Sequence, residues 1–192
     1  MAYTTYTTKA LVCGTYNRNT ADRSYLMFTR EAGMLYADAR SAREERSRQR
    51  YALQEFSLVR VSLIKGKVSW KVGSIEALKN YYHESIDKEA RGSVVSLSRL
   101  LRRFVKGEEP APELFDYVMA AFDELSSASK ERPFIQTTVQ VQILAHLGYV
   151  DTKSVPETIR GSRPADIAAQ YTSGIEKQVN SLYAHAVSIS HL

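Results

Sequence analysis

The chain has 192 residues, 44% apolar and 24% charged, with a formal net charge of +5, an ordinary composition for a globular protein. No run approaches the roughly 18 apolar residues of a membrane span, and the Thr- and Tyr-rich stretch from Met1 to Ala10 lacks the apolar region of a signal peptide. The single cysteine, Cys13, excludes an internal disulfide and a Cys₄ or Cys₂His₂ zinc site, so a cytoplasmic protein is expected, with Cys13 as a buried structural thiol inside its apolar run.

The first eighty residues read as strands. Tyr6 to Tyr16 is rich in β-branched and aromatic residues and is followed by the turn signal Asn17, Arg18, Asn19. Tyr25 to Thr29 and Met34 to Ala39, separated by Arg30, Glu31, Ala32 and Gly33, predict a hairpin. Phe56 to Lys65 alternates, Lys65, Gly66 and Lys67 make a turn, and Val68 to Leu78 returns as a fifth strand. Five short strands suit a small closed barrel, because closure leaves no edge unpaired.

After Asn80 the period becomes helical. Val94 to Val105 carries the stripe Leu97, Leu100, Leu101 and Phe104. A second helix starts near Pro112 and presents Leu114, Phe115, Val118, Met119, Phe122 and Leu125. A third runs from Pro133 to Gly148. Arg163 and Pro164 introduce a last stretch running to about Val187 and interrupted by Gly174. The pattern predicts an α+β multidomain protein: a barrel domain over residues 1–80 and an α-helical domain over 81–192.

Charge separates the two. Residues 1–80 hold 14 Lys and Arg against 7 Asp and Glu, or +7, whereas residues 81–192 hold 12 against 14, or −2. The first half therefore suits a polyanion. The densest segment joins the third and fourth strands: Arg40, Arg43, Arg46, Arg48 and Arg50 against Glu44 and Glu45, giving +3 over residues 40–50. Such a run can be a solvated loop or short surface helix. All its cations, however, are arginines, whose planar fork grips phosphate and stacks on bases. Lys65, Lys67 and Lys71 extend the patch if the hairpin tip shares its face. Tyr16, Tyr25, Tyr36, Tyr51 and Trp70 could stack on bases, although alternation predicts that only one or two are exposed, Tyr51 foremost.

Nothing reads as an enzyme. His83, His146, His185 and His191 lack metal-ligand spacing, and Asp22 and Asp38 suit a turn and an ion pair better than a metal. No phosphate-cradling glycine loop or nucleophile elbow is present. No catalytic residue, metal or cofactor is expected.

An ordered set of motifs carries a family resemblance. Asp22 and Arg23 precede a strand; Phe28, Thr29, Arg30, Glu31 and Gly33 form a hairpin; Ala39, Arg40, Ala42 and Arg43 close the next strand. After the basic loop come Ala52, Leu53, Gln54 and Phe56, and far downstream Leu144, His146, Leu147, Gly148 and Tyr149. In this order they resemble the recombination protein O (RecO) family. That resemblance implies an OB-fold barrel followed by an α-helical domain, and a DNA repair and recombination mediator. Such a protein binds single- and double-stranded DNA, anneals complementary strands and assists loading of the recombinase RecA. It implies as partners a RecR-like protein and the acidic tail of single-stranded DNA-binding protein, with a nucleoid-associated location.

The chain departs from the family pattern at particular residues. Ser41 stands where glycine is common, Glu55 where proline precedes Phe56, and Thr137 and Thr138 where arginines could meet the acidic tail. Arg99, Arg102, Arg103 or Arg132 are the alternative candidates for that contact. The chain is also shorter than the family norm, mostly after Val150. Two other functions stay open on the residues alone: a generic OB-fold protein for single-stranded DNA or RNA, and an adaptor whose Glu44 and Glu45 pair the neighbouring arginines internally.

Overall fold

A computed structural model describes residues 5–67, 69–127 and 129–189. Five strands come first: β1 (Thr5–Asn17), β2 (Arg23–Thr29), β3 (Gly33–Ala39), β4 (Ser57–Lys65) and β5 (Trp70–Asn80), with a short helix, α1 (Arg48–Ala52), before β4. They close into a barrel in the order β1-β2-β3-β5-β4. All neighbours are antiparallel except β3 and β5, which meet in parallel over only two pairs, Ala37 with Trp70 and Asp38 with Lys71. Register shifts at Val12/Gly14 in β1 and at Leu58/Val59 and Val61/Leu63 along β4 add the local bend that closing so few strands requires.

Alternation fills the barrel. Ala10, Val12, Tyr25, Met27, Leu35, Ala37, Val59, Val61, Leu63 and Trp70 share one core, joined by Ala42 and Leu53 from the connection after β3. The strand expected from Val68 is described only from Trp70, since Val68 lies outside the described residues. In β2 the alternation fails, because Tyr25 through Thr29 are all buried. Residues 105–115 explain this. They group with the barrel, where Phe115 packs on Phe28 at 5.4 Å and the Gly107 carbonyl accepts from the Met34 N–H at 2.9 Å.

The chain therefore divides into two compact units, Met1–Glu84 with Val105–Phe115, and Ser85–Phe104 with Asp116–Leu192. A single cut near residue 80 does not describe it. After the four-residue helix α2 (Tyr81–Glu84) come α3 (Lys88–Phe104), α4 (Pro112–Ser126), α5 (Arg132–His146) and α6 (Ser173–Ile189). Helix α3 begins well before Val94, where Asp87 accepts from the Ala90 N–H at 2.6 Å and caps the first turn. Gly148, at φ 81°, ends the turn after α5.

The last expected helix is corrected. Pro164–Asp166 and Ala168–Gln170 are separate 3₁₀ turns, and α6 starts only at Ser173, where the Thr172 hydroxyl accepts from the Ile175 N–H at 3.2 Å. Gly174 thus lies in the first turn of α6 and interrupts nothing. Among the described residues no helix is long and apolar enough to cross a membrane.

Candidate nucleic-acid interface

The arginine-rich connection is pinned at both ends and open between them. Ala42 and Leu53 are buried in the barrel core. The Asp22 carboxylate accepts from Asn19 Nδ2 and from the Ser41 N–H, both at 2.9 Å, and the Arg43 N–H donates to the Ala21 carbonyl at 3.0 Å. Those hydrogen bonds, led by Asn19 and then Ser41, together with the charges of Arg40 and Arg18, hold the Asp22 carboxyl below the usual carboxylate range. Ser41 takes φ 52°, a left-handed state that favours glycine.

Between the anchors, Arg40, Arg46, Arg48 and Arg50 are exposed, and Tyr51 on α1 is 65% exposed. Arg43 differs: it is half-buried and its guanidinium donates to the Asn19 carbonyl. Among the described residues, Glu44 and Glu45 form no ion pair with the arginines around them. The loop's positive charge therefore faces solvent without an internal partner.

The three lysines separate. Lys71 lies with Arg40 and Arg18 around a cleft of about 490 Å³, bounded also by Asp22, Asp38, Gln49 and Ser69. Asp38 is an ion-pair residue there, engaged by Arg18 and by the Ser69 hydroxyl at 2.7 Å. Lys65 turns elsewhere, pairing Glu108 at 3.6 Å and covering the Trp70 ring at 5.0 Å. With Lys67 it borders a second cavity of about 470 Å³ beside Met34, Leu35 and Tyr36.

The aromatic expectation is partly revised. Tyr25 and Trp70 are buried in the core, but three of the five singled out are exposed rather than one or two: Tyr16, Tyr36 and Tyr51. Tyr16 and Tyr36 lean on each other at 5.7 Å, and Tyr6, not singled out, is exposed as well. Sequence reasoning also passed over Arg18 and Gln49. Arg18 looked like part of a turn and Gln49 was hidden in the arginine run; only the β3–β5 pairing brings them to one cleft.

Cys13 is buried, as its apolar neighbours suggest. His83 meets Gln54 at 3.0 Å, which accounts for that motif glutamine. His191 lies outside the described residues. Among the described residues, no cluster of three or more His, Cys, Asp or Glu could hold a metal.

In the helical unit, Arg99 and Arg102 on α3 are exposed. Arg103 is half-buried, covers the Phe104 ring at 5.1 Å and donates to the Val187 carbonyl at 3.3 Å. Arg132 is buried and bound to Asp87 at 3.0 Å and the Ser127 carbonyl at 2.7 Å, so it holds the unit together. Thr137 bonds back to the Pro133 carbonyl at 3.1 Å, and Thr138 is fully buried. Neither threonine offers a cation.

Comparison with known proteins places this geometry in a family. Residues 1–81 match the family model described as recombination protein O N terminal, and residues 67–150 match recombination protein O C terminal. The DNA repair protein RecO of Desulfitobacterium hafniense is 26% identical over 162 residues, covering 82% of this chain and 59% of its own length. That of Myxococcus xanthus is 27% identical over 163 residues, covering 83% and 66%. The chain thus spans less than two thirds of the length of these relatives. With both models matched in order, over a five-stranded barrel and a helical unit, the chain belongs to the recombination protein O family.

Proposed function

We propose that the chain is a DNA repair and recombination mediator that binds single- and double-stranded DNA without sequence preference and anneals complementary strands. The observation carrying this reading is the arginine loop: Arg46, Arg48 and Arg50 stand exposed, and Glu44 and Glu45 leave their charge uncompensated. Annealing needs each strand's phosphate charge neutralised while the bases stay accessible. Guanidinium groups on an exposed loop do the first, and Tyr51 beside them offers a ring on which an unpaired base can stack. No bond in the nucleic acid is made or broken.

Assistance to RecA and association with a RecR-like protein extend the same reading. Contact with the acidic tail of single-stranded DNA-binding protein would fall to Arg99 and Arg102, since Arg132 is committed inside the unit. The test is annealing of complementary oligonucleotides with and without a coat of single-stranded DNA-binding protein. A mediator accelerates pairing of the coated strands. Acceleration of naked strands only would leave a general nucleic-acid binder, and acceleration of neither would reject the reading.

A further inference from the structure

We infer that the cleft between the arginine loop and β5 seats a single unpaired nucleotide, and that the protein thereby distinguishes unpaired from paired DNA. The inference rests on the DNA-binding reading above and adds to it a specific site and ligand class.

The cleft's volume, about 490 Å³, falls within the roughly 300–1,000 Å³ of small-ligand sites. Its lining has three chemistries. Arg40 and Lys71 are exposed cations at its border, suited to a backbone phosphate. Ala39, Ile64 and Val72 supply apolar surface against which a base can lie. Gln49 contributes its side-chain oxygen Oε1, which is buried and has no hydrogen-bond partner.

That last atom selects the ligand. A buried acceptor left unsatisfied costs about 1–3 kcal/mol, so the cleft calls for a donor. The two carboxylates nearby do not compete for it. Asp38 is occupied by Arg18 and Ser69, and Asp22 by Asn19 and the Ser41 N–H. Every nucleobase carries an N–H donor on its pairing edge. In a single strand that donor is available to Gln49, and in a duplex it is given to the opposite base. Pairing therefore withdraws the group the cleft holds, and the annealed product leaves the site that its unpaired precursor occupied.

The test uses the full chain and a short oligothymidylate, because thymine has one pairing-edge donor, N3–H, which N3-methylation removes. Wild-type protein is expected to bind the N3-methylated oligonucleotide about five- to tenfold more weakly than the unmodified one. The Gln49→Leu variant should bind the two equally, with duplex affinity unchanged. Equal wild-type affinity for the two oligonucleotides would overturn the inference while leaving DNA binding intact. So would a Gln49→Leu variant that keeps the discrimination. Failure of the wild type to bind either oligonucleotide would instead reject the DNA-binding reading itself. Because the decisive change lies in the ligand, the result does not depend on how well the variant folds.

Discussion

Gly33 occupies a position where two constraints coincide. Its φ of 64° suits glycine, and a Cβ there would lie 2.5 Å from the Glu109 carbonyl oxygen and 2.7 Å from both the Glu109 nitrogen and the Gly107 carbonyl oxygen. All three atoms are backbone and cannot rotate away. Gly33→Ala should therefore destabilise the barrel unit by more than about 2 kcal/mol, read as a lowered denaturant midpoint. A change under about 0.5 kcal/mol would mean that residues 105–115 do not pack there. Ser41 shows the milder form of the same logic. At φ 52° it pays the left-handed penalty that glycine avoids, and its N–H bond to Asp22 offsets part of it. Phe56, at φ 68°, is more unusual still for a bulky residue. It is held by its N–H bond to the Val12 carbonyl at 2.8 Å and by stacking on Tyr82 at 5.5 Å.

At the scale of elements, the arginine connection is a loop whose root depends on one carboxylate. Asp22's carboxyl titrates below its ordinary value because the charged form accepts the Asn19 and Ser41 hydrogen bonds. Its folded value is depressed, so the anchoring is complete above the usual carboxylate range and is lost as pH falls through the lower folded value. Hydrogen exchange at the Ser41 amide, corrected for intrinsic rate, should accelerate below about pH 4. Asp22→Asn should show the faster exchange already at neutral pH. Protection unchanged by acid or by substitution would detach the loop from this anchor.

Elements were legible to the degree that their pattern was local. Four strands and the helix around Pro133 follow from period and turn residues. The segment 105–115 carries no period linking it to the barrel, because its tie to β2 and β3 runs through Phe115 on Phe28 and a backbone bond to Met34. The site was half legible for the same reason. The exposed arginines stand out by composition, whereas the Arg18–Gln49–Lys71 cleft exists only through the two-pair contact of β3 with β5, which nothing in either strand announces. Arg132 fails in the opposite direction: a cation that looked available is bound to Asp87 within its own unit.

For the whole molecule, the account assigns phosphate binding to the barrel unit and particularly to the loop arginines. Non-specific affinity for nucleic acid then comes mostly from released counterions, so it must fall with salt, with a slope set by the number of phosphates contacted. The most direct measurement is that slope, for a single-stranded oligonucleotide, in wild type and in the combined Arg46→Ala, Arg48→Ala and Arg50→Ala variant. These three side chains make no contact that stabilises the barrel among the described residues, so the variant should fold as the wild type does. Each lost contact should make the slope shallower by about 0.7, roughly 2 for the three together, with affinity reduced for every sequence alike. A folded variant whose slope and affinity match the wild type would contradict the account.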